Sequence, residues 1–140
     1  MGVNLRNFRR FISSFRRKMD RAIPRALNRS GERTVETIVE RTQSGRGLRG
    51  TFRRYSTEYR EYRQKSGRSS RPDLNFSGRM LSNLGVERKS NNTVKVGFSR
   101  NEEKRKARAN QKTRPFIGVT NTEKTAITRA FQRQFERDMR

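Results

Sequence analysis

Arginine is the residue through which this sequence could do most of its chemistry. The 140 residues contain 28 Arg and 8 Lys against 13 Asp and Glu, which leaves a formal net charge of +23. The guanidinium group forms bidentate hydrogen bonds to phosphates and carboxylates, so it suits structured contact with an anionic partner. The chain contains no His and no Cys, which removes the commonest general base, the thiolate nucleophile and two metal ligands. We therefore expect a protein that is not an enzyme, with no catalytic residue, cofactor or metal.

The middle of the chain combines arginines with tyrosines. Residues 44–72 carry nine basic residues against Glu58 and Glu61, and Tyr55, Tyr59 and Tyr62 lie between them. The Gly, Ser and Arg content predicts a long basic loop with a functional role. Arg neutralises phosphates and Tyr stacks on unpaired bases, but both residues are also enriched at protein interfaces. The candidate contacts with a partner or with DNA are Arg53, Arg54, Arg60, Arg63, Arg68 and Arg71.

The first residues predict a basic amphipathic helix. Apolar residues recur at helical spacing between arginines, and we assign residues 1–22 to this helix and residues 23–140 to a single domain. An organelle transit peptide and a helix on an anionic membrane are alternatives. The apolar series is Leu5, Phe8, Phe11, Ile12, Phe15 and Met19. Second-choice contact residues are Arg9, Arg10, Arg16 and Arg17.

A second helix is predicted to begin at Pro24, which suits a first helical turn. Glu32, Glu36 and Glu40 lie four residues apart on it and form an acidic stripe. Such a row could face arginines of a neighbouring subunit or bind a metal, although it is more often a solvated face. We take it as a candidate inter-subunit surface.

The remaining segments predict two strands and two helices. A helix capped by Ser77 ends at Gly85, strands cover residues 93–98 and 114–119, and Thr120 with Glu123 forms a capping box that opens a final helix. The polar segment 100–114 is either an exposed helix or a mobile arm. The fold class is α+β: a small antiparallel sheet packed against the N-terminal and C-terminal helices. The expected core is Phe76, Met80, Leu81, Phe98, Phe116, Ile117, Ile127, Phe131 and Phe135.

Three glycines have the spacing of a dinucleotide-binding loop. Gly45, Gly47 and Gly50 match G-x-G-x-x-G, in which backbone N–H groups approach a pyrophosphate. Residues 47–50 also match the GxxG of an RNA-clamping domain. The first motif needs a strand before it and a helix after it, and neither is predicted here, so we expect no cofactor.

Apolar residues are too few for a large core. Leu, Ile, Val and Phe make up 27 of 140 residues, about 19%, which is near the level at which highly charged chains tend toward disorder. No apolar run approaches the roughly 20 residues of a membrane-spanning helix, so no membrane partner is expected. The sequence therefore predicts a subunit that gains apolar contacts from copies of itself or from other proteins.

Three short motifs occur in an order that resembles a known family. Residues 45–59 (GRGLRGTFRRYSTEY), 73–84 (DLNFSGRMLSNL) and 114–127 (RPFIGVTNTEKTAI) resemble segments of the small tail-completion, or neck, proteins of tailed bacteriophages. The resemblance covers most of residues 22–140. It implies an α+β subunit of a homo-oligomeric ring that joins head to tail, located in the virion and in the host cytoplasm during assembly.

The resemblance also implies partners for the charge. These are portal or adaptor proteins and tail-terminator or tail-tube proteins, with genome DNA in a central channel as a further candidate. A nucleic-acid-binding protein of ribosomal type is the alternative function, because high pI, small size and Arg-rich arms suit it equally. A carrier peptide on a membrane surface is a weaker third interpretation.

Overall fold

The computed structural model describes residues 4–140 and has an α+β fold, as the sequence predicts. These residues form five helices and two separate two-stranded antiparallel hairpins. The helices are α1 (Leu5–Gln43), α2 (Thr57–Lys65), α3 (Arg79–Ser82), α4 (Asn101–Thr113) and α5 (Asn121–Met139). The strands are β1 (Arg46–Gly47), β2 (Gly50–Thr51), β3 (Leu84–Ser90) and β4 (Thr93–Phe98).

Helix α1 is one continuous element of 39 residues. The prediction that a second helix begins at Pro24 is wrong, because Pro24 lies inside α1. Proline in a helix interior removes one backbone donor and costs roughly 3 kcal/mol. The flanking Ala22 and Ala26 are fully buried, and this packing on both sides of Pro24 holds the helix together.

Helices α1 and α5 pack antiparallel along their sides. Arg41 pairs with Glu123 at the start of α5, and Arg25 lies 3.9 Å from Asp138 at its end. Small residues, Ala22 and Ala26 on α1 and Ala130 on α5, are buried. The predicted capping box is confirmed, since Thr120 and Glu123 each accept a hydrogen bond from the backbone N–H of the other.

The second hairpin packs on α1 through a glycine. Strands β3 and β4 pair antiparallel from Leu84 opposite Phe98 to Ser90 opposite Thr93. A Cβ on Gly31 would lie 2.8 Å from a methyl carbon of Val86, which is too close for carbon atoms. Glycine therefore stands in the middle of a helix because the hairpin approaches it there.

Strand β4 is confirmed, but its partner is not the predicted one. Residues 114–119 form no strand, since the Gln111 side-chain oxygen accepts the N–H groups of Phe116 and Ile117, each at 3.0 Å, and Leu48 donates to the carbonyl of Pro115. The observed partner is β3, which includes Gly85, the residue at which the sequence predicts the end of a helix. The observed helix, α3, ends earlier, at Ser82. The Asn83 side chain that follows accepts hydrogen bonds from the N–H groups of Ser99 and Arg100 and so directs the chain into the hairpin.

Two further segments differ from the sequence-based description. Residues 44–72 are not one long loop, since they contain β1, β2 and α2. The polar segment 100–114 is a helix rather than a mobile arm, and it buries Glu103 and Ala107. The boundary placed after residue 22 falls inside α1, where no break occurs.

One small core lies between α1, the first hairpin, α3, β3 and α4. Of the expected core, Met80, Leu81 and Phe116 are buried, Phe98 and Ile117 pack against the cluster, and the rest are half-buried. Five members of this core are not among the residues expected from the sequence. They are Ile38, Phe52, Leu74, Leu84 and Ala107.

Candidate interaction surfaces

The first part of α1 projects beyond the body of the protein. Helix α5 ends beside Arg25, and residues 4–18 are all exposed. At 1.5 Å per residue, residues 5–18 extend about 21 Å. We call residues 5–18 the arm. The Asn4 side chain caps it by accepting hydrogen bonds from the N–H groups of Arg6 and Asn7.

The arm exposes an apolar stripe. Phe11 is 63% exposed and Leu5 66%, and only a ring contact between Phe11 and Phe15, at 6.2 Å between centroids, covers part of it. Large apolar patches on a soluble protein usually mark an interaction site. The stripe is Leu5, Phe8, Phe11, Ile12 and Phe15.

The second-choice basic residues lie on the same arm. Within residues 4–140, none of these four arginine side chains has a carboxylate within 4.0 Å of its guanidinium nitrogens. Their positive charge is therefore open to an anionic partner next to the apolar stripe. These residues are Arg9, Arg10, Arg16 and Arg17, and all are exposed.

The six candidate contact arginines of the middle segment have different surroundings in the structure. Arg53 and Arg54 are exposed, and Arg114 fixes their backbone by donating to both carbonyl oxygens at 2.8 and 3.0 Å. Arg68 lies over the ring of Phe76 at 5.7 Å. Two others donate hydrogen bonds within the protein: half-buried Arg60 to the nearby Thr57 hydroxyl, and exposed Arg71 to the carbonyl of Gln43 at the end of α1.

Arg63 cannot act as an open contact in this structure, which corrects its assignment. Its side chain is 1% exposed and donates to Asp73 at 2.8 Å and to the Ser69 carbonyl at 2.6 Å. Its guanidinium also lies 5.0 Å from the ring centre of Tyr55 and 5.8 Å from that of Phe76. Arg63 therefore holds α2 to the following chain and does not face solvent.

Four aromatic rings form a row beside Arg63. Tyr59 meets Tyr55 edge to face at 4.9 Å, and Tyr62 stacks on Phe76 at 5.7 Å with the rings 9° apart. The sequence indicates that the three tyrosines share a face if this region is helical. Helix α2 contains Tyr59 and Tyr62, whereas Tyr55 precedes the helix and contacts Tyr59 from outside it. Burial raises the pKa of the Tyr55 hydroxyl, although it accepts a hydrogen bond from the Leu74 N–H. Tyr62, 55% exposed, is the outermost ring.

The acidic stripe is largely paired within its own helix. Arg29 lies 3.2 Å from Glu32, and Arg33 lies 3.3 Å from Glu36. Glu40 is exposed and has no basic group within 4.0 Å in the described part of the chain. An inter-subunit role for Glu32, Glu36 and Glu40 stays a prediction, with Glu40 the most available of them.

The glycine motif forms the first hairpin. Gly45 and Gly50 have φ angles of 81° and 104°, and Gly47 is buried. A Cβ on Gly47 would overlap the carbonyl oxygen of Pro115 and the ring of Phe52. Turn geometry and close packing therefore account for the spacing of these glycines.

An ion pair that the sequence analysis missed joins α1 to α5. Arg41 lies 2.5 Å from Glu123 and also donates to the carbonyl oxygen of Gly118 at 3.1 Å. Burial raises the pKa of Glu123, but the Thr120 N–H and Arg41 outweigh that effect, so the pKa is lower than usual. The partners are 82 residues apart in the chain, and no local pattern indicates the pairing.

A cavity of about 550 Å³ lies between α2, α3 and α4. Tyr55, Tyr59 and Phe76 form part of its wall, and Glu103 lies in it with 2% of its surface exposed. One Glu103 oxygen is 3.4 Å from Lys106, and the other has no hydrogen-bond partner among residues 4–140. Glu103 and Ala107, which lie four residues apart, are the buried residues of α4. Two residues are too few to predict a buried helix face from the sequence.

No family model, curated protein or solved structure matches this chain. Within residues 4–140, no helix is long and apolar enough to cross a membrane. The same residues contain no group of three or more acidic side chains placed to hold a metal ion. The surfaces described above therefore carry the argument about function.

Proposed function

We propose that this chain is a structural virion protein of a tailed phage, a neck or tail-completion subunit that forms a ring adaptor in head-tail joining. The observation that carries the proposal is the arm, a helix of about four turns with five large apolar side chains exposed. Burying each such side chain is worth roughly 1.5–3 kcal/mol. A subunit whose arm packs on a neighbour gains that energy only in an assembly.

The body supports the same proposal, because little holds it together alone. Its central cluster contains eight buried apolar residues, while the net charge of +23 opposes compaction. Closed rings bring complementary surfaces of identical copies together. Exposed Glu40 and the basic arm are suitable opposite charges for such a contact.

The three motifs that carry the resemblance contribute residues to the same buried cluster, which also supports the proposal. Phe52 from the first motif, Met80 from the second and Phe116 from the third belong to the same buried cluster. Arg114 of the third motif donates to the carbonyls of Arg53 and Arg54 in the first. The motif residues therefore build one core, and Arg53 and Arg54 stand on its outer surface.

Electron microscopy of phage particles tests the proposal. Particles produced without this chain should appear as separated heads and tails, and the wild-type chain supplied in trans should restore joined virions. The charge reversal R53E/R54E should fail to restore them, whereas R105E/R108E, an equal change on exposed positions of α4, should succeed. Ordinary virions in the absence of the protein would reject the proposal.

Nucleic-acid binding is the second candidate, favoured by exposed Tyr59 and Tyr62 beside a basic segment. Such a protein binds isolated RNA or DNA tightly, and its affinity falls steeply with salt. A neck protein should instead bind purified portal or tail components and hold nucleic acid weakly. Competition between the two ligands at 0.15 M salt, a roughly physiological ionic strength, separates the functions.

A further inference from the structure

A groove between α1 and α5 collects five arginines that the sequence analysis did not assign to any site. Its floor includes Ala126 and Ala130, and its volume is about 500 Å³. The small alanine side chains leave room between the two helices, and no acidic residue lines the groove. The five arginines are Arg29, Arg33, Arg129, Arg133 and Arg137.

The α5 side of the groove has no internal countercharge. In the described chain, Arg129, Arg133 and Arg137 have no carboxylate within 4.0 Å. The nearby carboxylate of Asp138 is engaged instead by Gln134, at 3.1 Å to each oxygen. Three like charges on one helix face repel one another, so a bound anion would relieve an unfavourable arrangement.

The α1 side is partly neutralised. Arg29 lies 3.2 Å from Glu32 and 3.8 Å from Glu36, and Arg33 lies 3.3 Å from Glu36. These carboxylates hold the two guanidinium groups along the rim of the groove. The positive charge of the groove that has no countercharge among the described residues therefore lies on α5, at Arg129, Arg133 and Arg137.

The spacing suits a chain of phosphates better than a single anion. Residues four apart on a helix rise by about 6 Å, so Arg129 to Arg137 spans about 12 Å. One strand of a duplex carries a phosphate about every 3.4 Å along the axis, so the row is long enough to lie along successive phosphates of one strand. Guanidinium groups bind phosphate oxygens in bidentate geometry.

From these observations we infer that the α1–α5 groove binds the phosphodiester backbone of duplex nucleic acid without reading its sequence. No aromatic residue lines the groove, so it offers no platform for the base stacking that holds single strands. The identification of the duplex as genome DNA rests on the proposed function. Phosphate binding by the groove does not, because it depends only on the charges described here.

Salt-dependent binding of the full-length chain to a 20-base-pair duplex of random sequence tests the inference. Each phosphate contact contributes about 0.9 to the slope of log affinity against log salt, or roughly fivefold in affinity at 0.15 M. R129Q/R133Q should therefore reduce the slope by about 1.8 and the affinity about 30-fold. R129K/R133K, which keeps both charges, should retain the wild-type slope.

The matched control is R108Q/K112Q, which removes two positive charges from exposed positions four apart on α4. It should keep the wild-type slope. Circular dichroism verifies that each variant is folded, and R133Q alone, with a slope reduced by about 0.9, replaces the double variant if that one unfolds. Equal slopes for R129Q/R133Q and the control would overturn the inference, as would tighter binding of a single strand of equal length.

The binding assay uses no phage component, so its failure leaves the head-tail joining proposal standing. Conversely, ordinary virions formed without the chain would reject the neck function while the groove could still bind duplex. A third outcome is that the groove binds an acidic protein and not duplex DNA. Capture of such a protein through Arg129 and Arg133, with no loss of duplex affinity in R129Q/R133Q, would also overturn the inference.

Discussion

Arg63 shows how one residue type serves two purposes in this chain. Most of the arginines are exposed, but Arg63 is enclosed by rings, two backbone carbonyls and Asp73. Its five N–H donors match several acceptors at once, which suits guanidinium and not ammonium. The same chemistry that recognises an external anion is used here to fix α2 against the segment around residue 73.

Replacing Arg63 with Met should destabilise the protein by about 3 kcal/mol. The thioether side chain keeps contacts with the rings, but Asp73 and the Ser69 carbonyl lose their donors, and breaking a buried pair costs about 3–5 kcal/mol. Asp73 retains 14% exposure, so we expect the lower end. Urea denaturation measures the free energy of unfolding. R53M, at an exposed position, should change it by less than about 0.5 kcal/mol, and an equally small change in R63M would contradict this role.

At the scale of elements, the pairing of α1 with α5 is the most extensive contact between two elements of the described chain. The pair is joined near the start of α5 by Arg41 and Glu123, and the same carboxylate completes the capping box of α5. Glu123 therefore has two roles: it caps the start of α5, and it pairs with Arg41 on a helix that is distant in the chain. Its charge is needed for the pairing with Arg41, whereas an uncharged Gln can also complete a capping box.

The stability of the protein should depend on pH through Glu123. Its pKa is lowered in the folded state, below the value of about 4.3 for an unperturbed Glu. This stabilisation is present above that unfolded value and is lost as pH falls through the lower folded pKa. Thermal unfolding between pH 7 and pH 3 should show a smaller fall in melting temperature for E123Q than for wild type. E58Q, on an exposed first turn of α2, should retain the wild-type profile, and an identical profile in E123Q would argue against the assignment.

Elements defined by local signals could be predicted, and those defined by distant contacts could not. Helix α5 follows from the Thr120 capping box, and β4 from the alternation of Val94, Val96 and Phe98. Pro24 is typical of a first helical turn and therefore predicts a helix start. The sequence alone does not show that its neighbours Ala22 and Ala26 are buried, so it does not show that the helix continues through Pro24. Residues 114–119 have strand composition, but side-chain and loop hydrogen bonds satisfy their backbone.

The same division applies to the candidate surfaces. The arm could be predicted because its apolar residues and arginines follow one helical period. The burial of Arg63 could not, since its acceptors lie in a following segment without regular structure. The row Arg129, Arg133, Arg137 is visible in the sequence, but the groove depends on how α1 lies beside it.

The whole molecule combines a small body with an arm that nothing in the described chain covers. Helix α1 lies beside α5 between Arg25 and Arg41 and extends the arm, residues 5–18, into solvent. Positive charge spreads over both parts, while the buried apolar cluster is confined to the body. The proposed assembly through the arm would account for this uneven distribution.

Sedimentation velocity of the purified full-length chain over a range of concentrations tests the central claim most directly. The account predicts a closed oligomer that dissociates to a folded monomer in F8S/F11S/F15S, since these changes remove the exposed rings and leave the body intact. F8L/F11L/F15L, which keeps the apolar stripe, should still assemble. A wild-type chain that is monomeric at every concentration, with the same melting temperature as F8S/F11S/F15S, would contradict the account.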